Sequence, residues 1–179
     1  PWWTPLPFSL PMPEKKIALL KKIEGLKIDP IILAELDIVA KRLEDSGWVI
    51  EEPEAPNFQE AAKFQATLWL GEFRRTGGEA ITNENDPDSN FIYSQMSIRC
   101  PDTSLEKFMD SLQQRARISR EWNKFFDQYP IILCPITGDV PFPDLKDLES
   151  EESFDLVFDS MLPQICLLYT SPSPRDLAV

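Results

Sequence analysis

The sequence predicts an α/β fold, and three observations support this prediction. A strand, a helix and a second strand follow one another within residues 16–52, an order typical of parallel strands joined by a helix in a right-handed crossover. A long amphipathic segment at residues 105–129 precedes an uninterrupted apolar run at residues 131–134. Of the 179 residues, 42% are hydrophobic and 27% are charged, the balance of a globular chain. We therefore expect one domain, or a piece of one.

The first unit begins with the apolar run at residues 16–20, which is compatible with a strand, although the lysines around it leave a helix open. Asp29 and Pro30 then predict the start of a helix, because Asp caps helices and Pro suits their first turn. The apolar residues that follow at helical spacing are Ile32, Leu36, Val39 and Leu43. Gly47 ends this helix, and residues 48–52 predict the second strand.

A second helix is predicted from Asn57 to the glycine pair at residues 77–78. The polar residues 76–90 predict a mobile loop. Residues 91–98 mix aromatic and polar side chains, which fits either another helix start or a packed loop.

Ser104 predicts the cap of the longest helix, residues 105–129. The apolar run at residues 131–134 predicts a strand buried on both faces, and an irregular loop follows it. Residues 150–164 are acidic and aromatic and predict a short helix. The proline-rich residues 1–13 exclude a helix; they fit a connector that packs on its own domain, or a peptide ligand for a groove.

Charge and composition exclude several classes of function. Lys and Arg number 18 against 30 Asp and Glu, a net charge of -12, so nucleic acid and anionic membranes are not expected partners. The absence of His excludes a Ser-His-Asp triad and a His-ligated metal site in these residues. Three widely spaced cysteines fit a reducing compartment, so we expect a cytoplasmic protein. No run reaches the ~20 apolar residues of a transmembrane helix.

No constellation in the sequence defines an active site by itself. Cys134 ends an apolar run without a basic neighbour, so a small buried side chain is a better interpretation than a nucleophile. Trp122, Phe125 and Phe126 fit a ligand pocket, but aromatic residues at this spacing more often belong to a core.

The order of these segments resembles the C-terminal half of the amidase signature family. The matching segments are PWWTPLP at 1–7, KIALL at 16–20, RLEDSGWVIEE at 42–52, APNF at 55–58, REWNKFF at 120–126, IILCPIT at 131–137 and PFP at 141–143. The resemblance covers residues 1–143 and rests on the order of the segments rather than on one motif. One departure is Pro130, where the family commonly has Asp before the strand.

The resemblance implies part of an α/β/α layered domain with a mixed sheet, extending over residues 1–165 and incomplete at both ends. It also implies hydrolysis of carboxamides by a Ser-Ser-Lys mechanism that needs no metal or organic cofactor. The expected partner is a small amide substrate, and a homodimer is left open. The family's catalytic residues precede the PWWTPLP segment, so none is carried over to this chain, and we expect the chain alone to be inactive.

The resemblance also suggests residues that rim the acyl pocket of the intact enzyme. These candidates are Trp122, Phe126, Thr137 and Phe142, chosen because they lie on the long helix and in the loop after the buried strand. A different class of function stays open beside this one: a non-catalytic interaction domain derived from an amidase fold.

A separate expectation concerns residues 166–179. The peptide from Cys166 to Asp176 resembles the in-frame translation of a sequencing adapter, so we expect no domain there and exclude it from the predicted fold. The alternative is a genuine, flexible tail rich in Ser and Pro.

Overall fold

The computed structural model describes residues 14–170, with side chains through residue 166. Its strands are β1 (Lys16–Leu19), β2 (Val49–Glu51) and β3 (Ile131–Leu133). Its helices are α1 (Pro30–Asp45), α2 (Phe58–Thr76), α3 (Gly78–Glu84), α4 (Pro87–Arg99), α5 (Leu105–Gln128), α6 (Glu151–Ser160) and α7 (Leu162–Thr170), with a short 3-10 turn at Lys146–Leu148. None of the helices in this described part is long and apolar enough to cross a membrane.

The three strands form a parallel sheet in the order β2-β1-β3. Ile17 at the centre lies opposite Ile50 on one side and Ile131 on the other. β1 takes the middle position. Its apolar side chains are therefore almost completely buried, and Ala18 is 0% exposed. The predicted α/β class and the predicted strands at both ends of α1 are confirmed.

Helices cover both faces of the sheet, as period-two alternation along β1 requires. On one face, Leu19 packs with Leu36 and Ala40 of α1. On the other face, Ala18 and Leu20 belong to a larger core cluster. The members of this cluster from α2, α5 and α7 are Phe58, Ala61, Ile118, Trp122 and Cys166. The α/β/α layering is therefore present in the described residues.

Side-chain caps begin the helices where the sequence predicts them. The Asp29 carboxylate accepts a hydrogen bond from the Ile31 N–H at 2.7 Å. The Asn57 amide oxygen accepts one from the Glu60 N–H at 2.9 Å, and Ser104 Oγ accepts one from the Lys107 N–H at 3.3 Å. These bonds satisfy N–H groups that have no partner within the first helical turn.

The prediction of a mobile loop at residues 76–90 is wrong, because α3 and α4 occupy most of this segment. Asn85 ends α3 with φ +57°, a conformation that Asn tolerates. The Asp86 side chain then accepts a hydrogen bond from the Ser89 N–H at 2.8 Å, and Pro87 occupies the first turn of α4. Of the two alternatives for residues 91–98, the helix is correct.

The prediction that β3 is buried on both faces is met only in part: Ile132 packs against the cluster around Ala18 and Leu133 against the cluster around Leu19, and both are half-buried. β3 lies at one edge of the three described strands, and Ile131 is 37% exposed. At the C-terminal end, α6 and α7 replace the one short helix expected at residues 150–164. α7 continues past position 166, and Cys166 is fully buried. The origin proposed for the tail stays a prediction, and the proline-rich residues 1–13 lie outside the described residues.

Candidate substrate-binding region

The loop after β3 lies at the carboxyl end of the parallel strands, the edge where open α/β sheets bind ligands. Gly138 fixes this loop through both of its backbone groups. Its carbonyl accepts a hydrogen bond from the Asp29 N–H at 2.8 Å, and its N–H donates to the Ser160 carbonyl at 2.7 Å. Beside it, Thr137 Oγ1 donates to the Asp139 carbonyl at 2.8 Å. The loop therefore connects the start of α1 to the end of α6.

A groove of about 340 Å³, which we call the edge groove, separates this loop from α1. Its main contributors are Ile31, Ile32 and Leu36 of α1, and Cys134, Thr137 and Val140 of the loop side. Burial raises the pKa of the Cys134 thiol to about 11, so the thiol stays protonated at neutral pH and is a poor nucleophile. This agrees with its interpretation as a small buried side chain.

The predicted pocket residues do not lie together. Thr137 lines the edge groove, whereas the half-buried Phe142 lies farther along the same loop, outside the groove lining. Trp122 is 0% exposed and packs in the core against Phe58, with ring centroids 5.2 Å apart, and against Phe126 at 6.0 Å. Among the residues that the structure describes, the buried Trp122 Nε1–H has no acceptor.

A larger cavity lies among the helices on the α2 side of the sheet. This helical cleft, of about 660 Å³, is bounded by α2, α4, α6 and α7. The residues that shape it most are Ala62, Ala66 and Trp69 of α2, Met96 of α4, Phe158 of α6 and Ile165 of α7. The cleft was not predicted from the sequence, although two alanines four residues apart on one face of α2, followed by Trp69, were a detectable signal of space beside that helix.

A comparison with protein families shows to which family this fold belongs. The profile of the Amidase family matches residues 11–166. The chain belongs to the Amidase family. The family resemblance expected from the order of the segments is thus confirmed, including the region that carries both the edge groove and the helical cleft.

Two curated proteins are similar to this amidase chain. An indoleacetamide hydrolase of Bradyrhizobium diazoefficiens is 28% identical over 149 residues, which cover 82% of this chain and 28% of the relative. An indoleacetamide hydrolase of Bradyrhizobium japonicum is 28% identical over 152 residues, covering 82% of this chain and 32% of the relative. The chain therefore spans about a third or less of the length of these relatives.

Two of the lysines with a raised pKa in this amidase chain, Lys16 and Lys21, form ion pairs. Lys16 Nζ lies 3.0 Å from Glu51, and Lys21 Nζ lies 2.7 Å from Glu52 and 3.0 Å from Asp37. Hydrogen bonds to these carboxylates raise the pKa of both lysines. A lysine that accepts a proton near neutral pH needs the opposite shift, so neither of these lysines is suited to act as a general base.

Within residues 14–170, no group of three His, Cys, Asp or Glu side chains is placed to hold a metal ion. The described part carries an apolar groove at the sheet edge and a larger apolar cleft between helices.

Proposed function

We propose that this chain is the C-terminal part of an amide hydrolase, which cleaves a carboxamide C–N bond to give a carboxylic acid and ammonia or an amine. The observation that supports this most directly is the family match over residues 11–166. The chain contributes a sheet edge and two apolar walls, and the reacting groups come from polypeptide outside it.

The proposed chemistry is a Ser-Ser-Lys mechanism. A serine attacks the amide carbon while a bridging serine and a lysine take up its proton, and backbone N–H groups stabilise the oxyanion. The proton passes to the nitrogen as the C–N bond breaks and ammonia or an amine departs, and water then hydrolyses the acyl-enzyme ester to the carboxylic acid and free serine. We place these groups upstream of residue 1, as the family resemblance implies. Such a mechanism needs no metal or organic cofactor. We propose the cytoplasm as its location.

We further propose a neutral aromatic carboxamide as the substrate class. Two relatives, each 28% identical, are named indoleacetamide hydrolases, and the edge groove and the helical cleft have predominantly apolar walls. A flat aromatic group suits such walls because its burial removes a large apolar area from water.

The test uses the full-length protein that contains this chain, incubated with indole-3-acetamide and, separately, with acetamide. We expect ammonia release from both, with the higher kcat/KM for indole-3-acetamide. The chain on its own, purified in parallel, should release none. Indole-3-acetate, which has no amide, is the blank for both proteins.

Two results would contradict the proposal in different ways. Hydrolysis by the isolated chain would show that its own residues carry out the reaction and would overturn the upstream assignment. If the full-length protein hydrolyses neither amide, the hydrolase proposal fails, and the non-catalytic interaction domain becomes the better description.

A further inference from the structure

We propose that the helical cleft is the specificity pocket of this protein and binds the aromatic portion of a neutral amide, with Gln65 as its polar contact. The identity of the ligand rests on the proposed function. The existence of the site rests on the shape and lining of the cleft alone. No motif in the sequence assigns a role to this region.

The size and walls of the cleft fit a small aromatic molecule. Its volume of about 660 Å³ lies within the roughly 300–1,000 Å³ of sites that take small ligands. Ala62 and Ala66 leave space along one face of α2, while Trp69 and Phe158 supply aromatic surface. Because most of the remaining lining is apolar, the cleft favours a ligand with a large apolar part.

Gln65 is the polar feature that indicates a specific ligand. It lines the cleft and is 8% exposed, yet its amide has no hydrogen-bond partner among the residues that the structure describes. Within the described residues, Trp122 Nε1 is the one fully enclosed polar side-chain atom without a partner, so the Gln65 amide reaches accessible space and can bond to an occupant of the cleft. A polar group on the aromatic portion of the ligand, such as a ring N–H, can donate a hydrogen bond to the Gln65 carbonyl oxygen.

Of the charged residues that line the cleft, Lys63, Arg99 and Asp159, the arginine is already paired. The Arg99 guanidinium, which lines the cleft, forms ion pairs with both Asp155 and Asp159. The Arg99 guanidinium carbon, Cζ, also lies over the Phe158 ring, 5.1 Å from the ring centroid. Since two carboxylates already balance this cation, it offers little attraction to an anionic ligand.

The cleft is also connected to the sheet edge where a reaction is expected. Gly25, in the segment after β1, contributes to its lining. Ser160 lies between the cleft residues Asp159 and Met161 and accepts the hydrogen bond from Gly138 in the loop after β3. The loop that lines the edge groove is thus fixed to the wall of the helical cleft.

The experiment measures binding of indole-3-acetamide to the full-length protein by calorimetry, and hydrolysis of indole-3-acetamide and acetamide. In Ala66→Leu the added side chain fills the cleft, so we expect binding at least tenfold weaker and a similar loss of kcat/KM for indole-3-acetamide. Hydrolysis of acetamide should stay within about twofold of the unmodified protein. Ala116→Leu, the same change at an exposed position of α5, should alter none of these values.

Gln65→Met tests the polar contact separately. It keeps the length of the side chain but removes its hydrogen bonds, so we expect indole-3-acetamide to bind about threefold to tenfold more weakly. The melting temperature should not fall, because no hydrogen bond joins the Gln65 amide to the other described residues. A purely structural role for Gln65 predicts the reverse: a lower melting temperature with unchanged binding.

The outcomes separate this proposal from the hydrolase proposal. If filling the cleft weakens binding but no protein hydrolyses any amide, the site is supported and the hydrolase proposal fails. If indole-3-acetamide is hydrolysed normally by Ala66→Leu, or does not bind at all to the unmodified protein, the cleft is not the specificity pocket.

Discussion

Gly138 is required for close packing rather than for an unusual backbone conformation. A Cβ at this position would lie 2.5 Å from the Lys27 carbonyl oxygen and 2.6 Å from Leu26 Cδ1, too close for either to remain in place. We predict that Gly138→Ala lowers the free energy of unfolding of the full-length protein by about 1–3 kcal/mol, measured by urea denaturation.

Gly47 is the informative comparison for that substitution. It has φ +85°, but a Cβ added there would have no other atom within 4 Å, so Gly47→Ala introduces backbone strain of about 1–2 kcal/mol without a clash. The kinetics distinguish the two: Gly138→Ala should also raise KM for the amide by displacing the loop after β3, whereas Gly47→Ala should leave KM unchanged. An unaltered KM in Gly138→Ala would argue against the loop as a substrate wall.

Tyr129, Glu51 and Lys16 form a cluster that predicts pH dependence. The Tyr129 hydroxyl donates to the Glu51 carboxylate at 2.7 Å, and the Lys16 ammonium lies 3.0 Å from Glu51. The Tyr129 hydrogen bond first, and then Lys16, lower the pKa of Glu51. A carboxyl group whose pKa is lowered on folding stabilises the protein above its unfolded pKa, and this contribution disappears as pH falls through the folded value.

We therefore predict that Tyr129→Phe lowers the melting temperature at pH 7 and that this difference shrinks as the pH drops below the ordinary Glu value of 4.5. Tyr93→Phe is the control, because the Tyr93 ring packs on Phe73 rather than in this cluster. A difference of the same size at pH 7 and pH 3 would show that the Tyr129 hydroxyl stabilises the fold independently of the Glu51 charge.

At the scale of elements, α2 depends on its N-cap. α2 forms one wall of the helical cleft and packs Phe58 and Ala61 into the core. We predict that Asn57→Ala destabilises the full-length protein by about 1 kcal/mol, because it removes the acceptor for the Glu60 N–H. Asn57→Ser should restore most of this loss in urea denaturation, and equal destabilisation by both substitutions would contradict a capping role.

The sequence predicts helix starts well, because capping residues nearby determine them. It predicts the neighbours of a strand poorly, because tertiary packing determines those. Asp29 and Pro30 gave the start of α1 correctly, and the same pair at Asp86 and Pro87 starts α4. The second pair was overlooked because the surrounding residues are polar and short helices have little apolar periodicity. The edge position of β3 was not predictable, because an apolar run indicates burial but not which strands lie beside it.

The candidate site shows the same contrast between local features, which the sequence predicts, and tertiary features, which it does not. The loop with Thr137 was predicted from its place after a strand. Trp122 and Phe126 pack in the core, and their part in a substrate pocket stays a prediction. The helical cleft combines side chains from four helices that are far apart in the sequence. Its shape depends on tertiary packing, which no local pattern of residues reveals.

At the scale of the whole molecule, the described surface includes large exposed apolar side chains. Ile31 and Ile136, on opposite walls of the edge groove, are 63% and 73% exposed, and Leu105 at the start of α5 is 76% exposed. Surfaces of this kind bind other apolar surfaces. We predict that the isolated chain binds the dye ANS and self-associates in sedimentation experiments, and that the full-length protein does neither.

A matched pair of variants identifies the surface responsible. Ile31→Ser together with Ile136→Ser should reduce dye binding and association of the isolated chain, while Leu105→Ser should have a smaller effect because it lies outside the edge groove. A monomeric isolated chain without dye binding would contradict the expectation that additional polypeptide covers this groove.

The central position of β1 determines the order in which the sheet can form during folding. Ile17 pairs with Ile50 and also with Ile131, so closing the second loop involves about three times as many residues and costs ~1 kcal/mol more in chain entropy. The contacts between β1 and β2 are the more local ones and should form first. On a ribosome, one edge of β1 then stays unpaired until β3 has emerged, which makes this interval the stage at which the nascent chain is most exposed to aggregation and to chaperone binding.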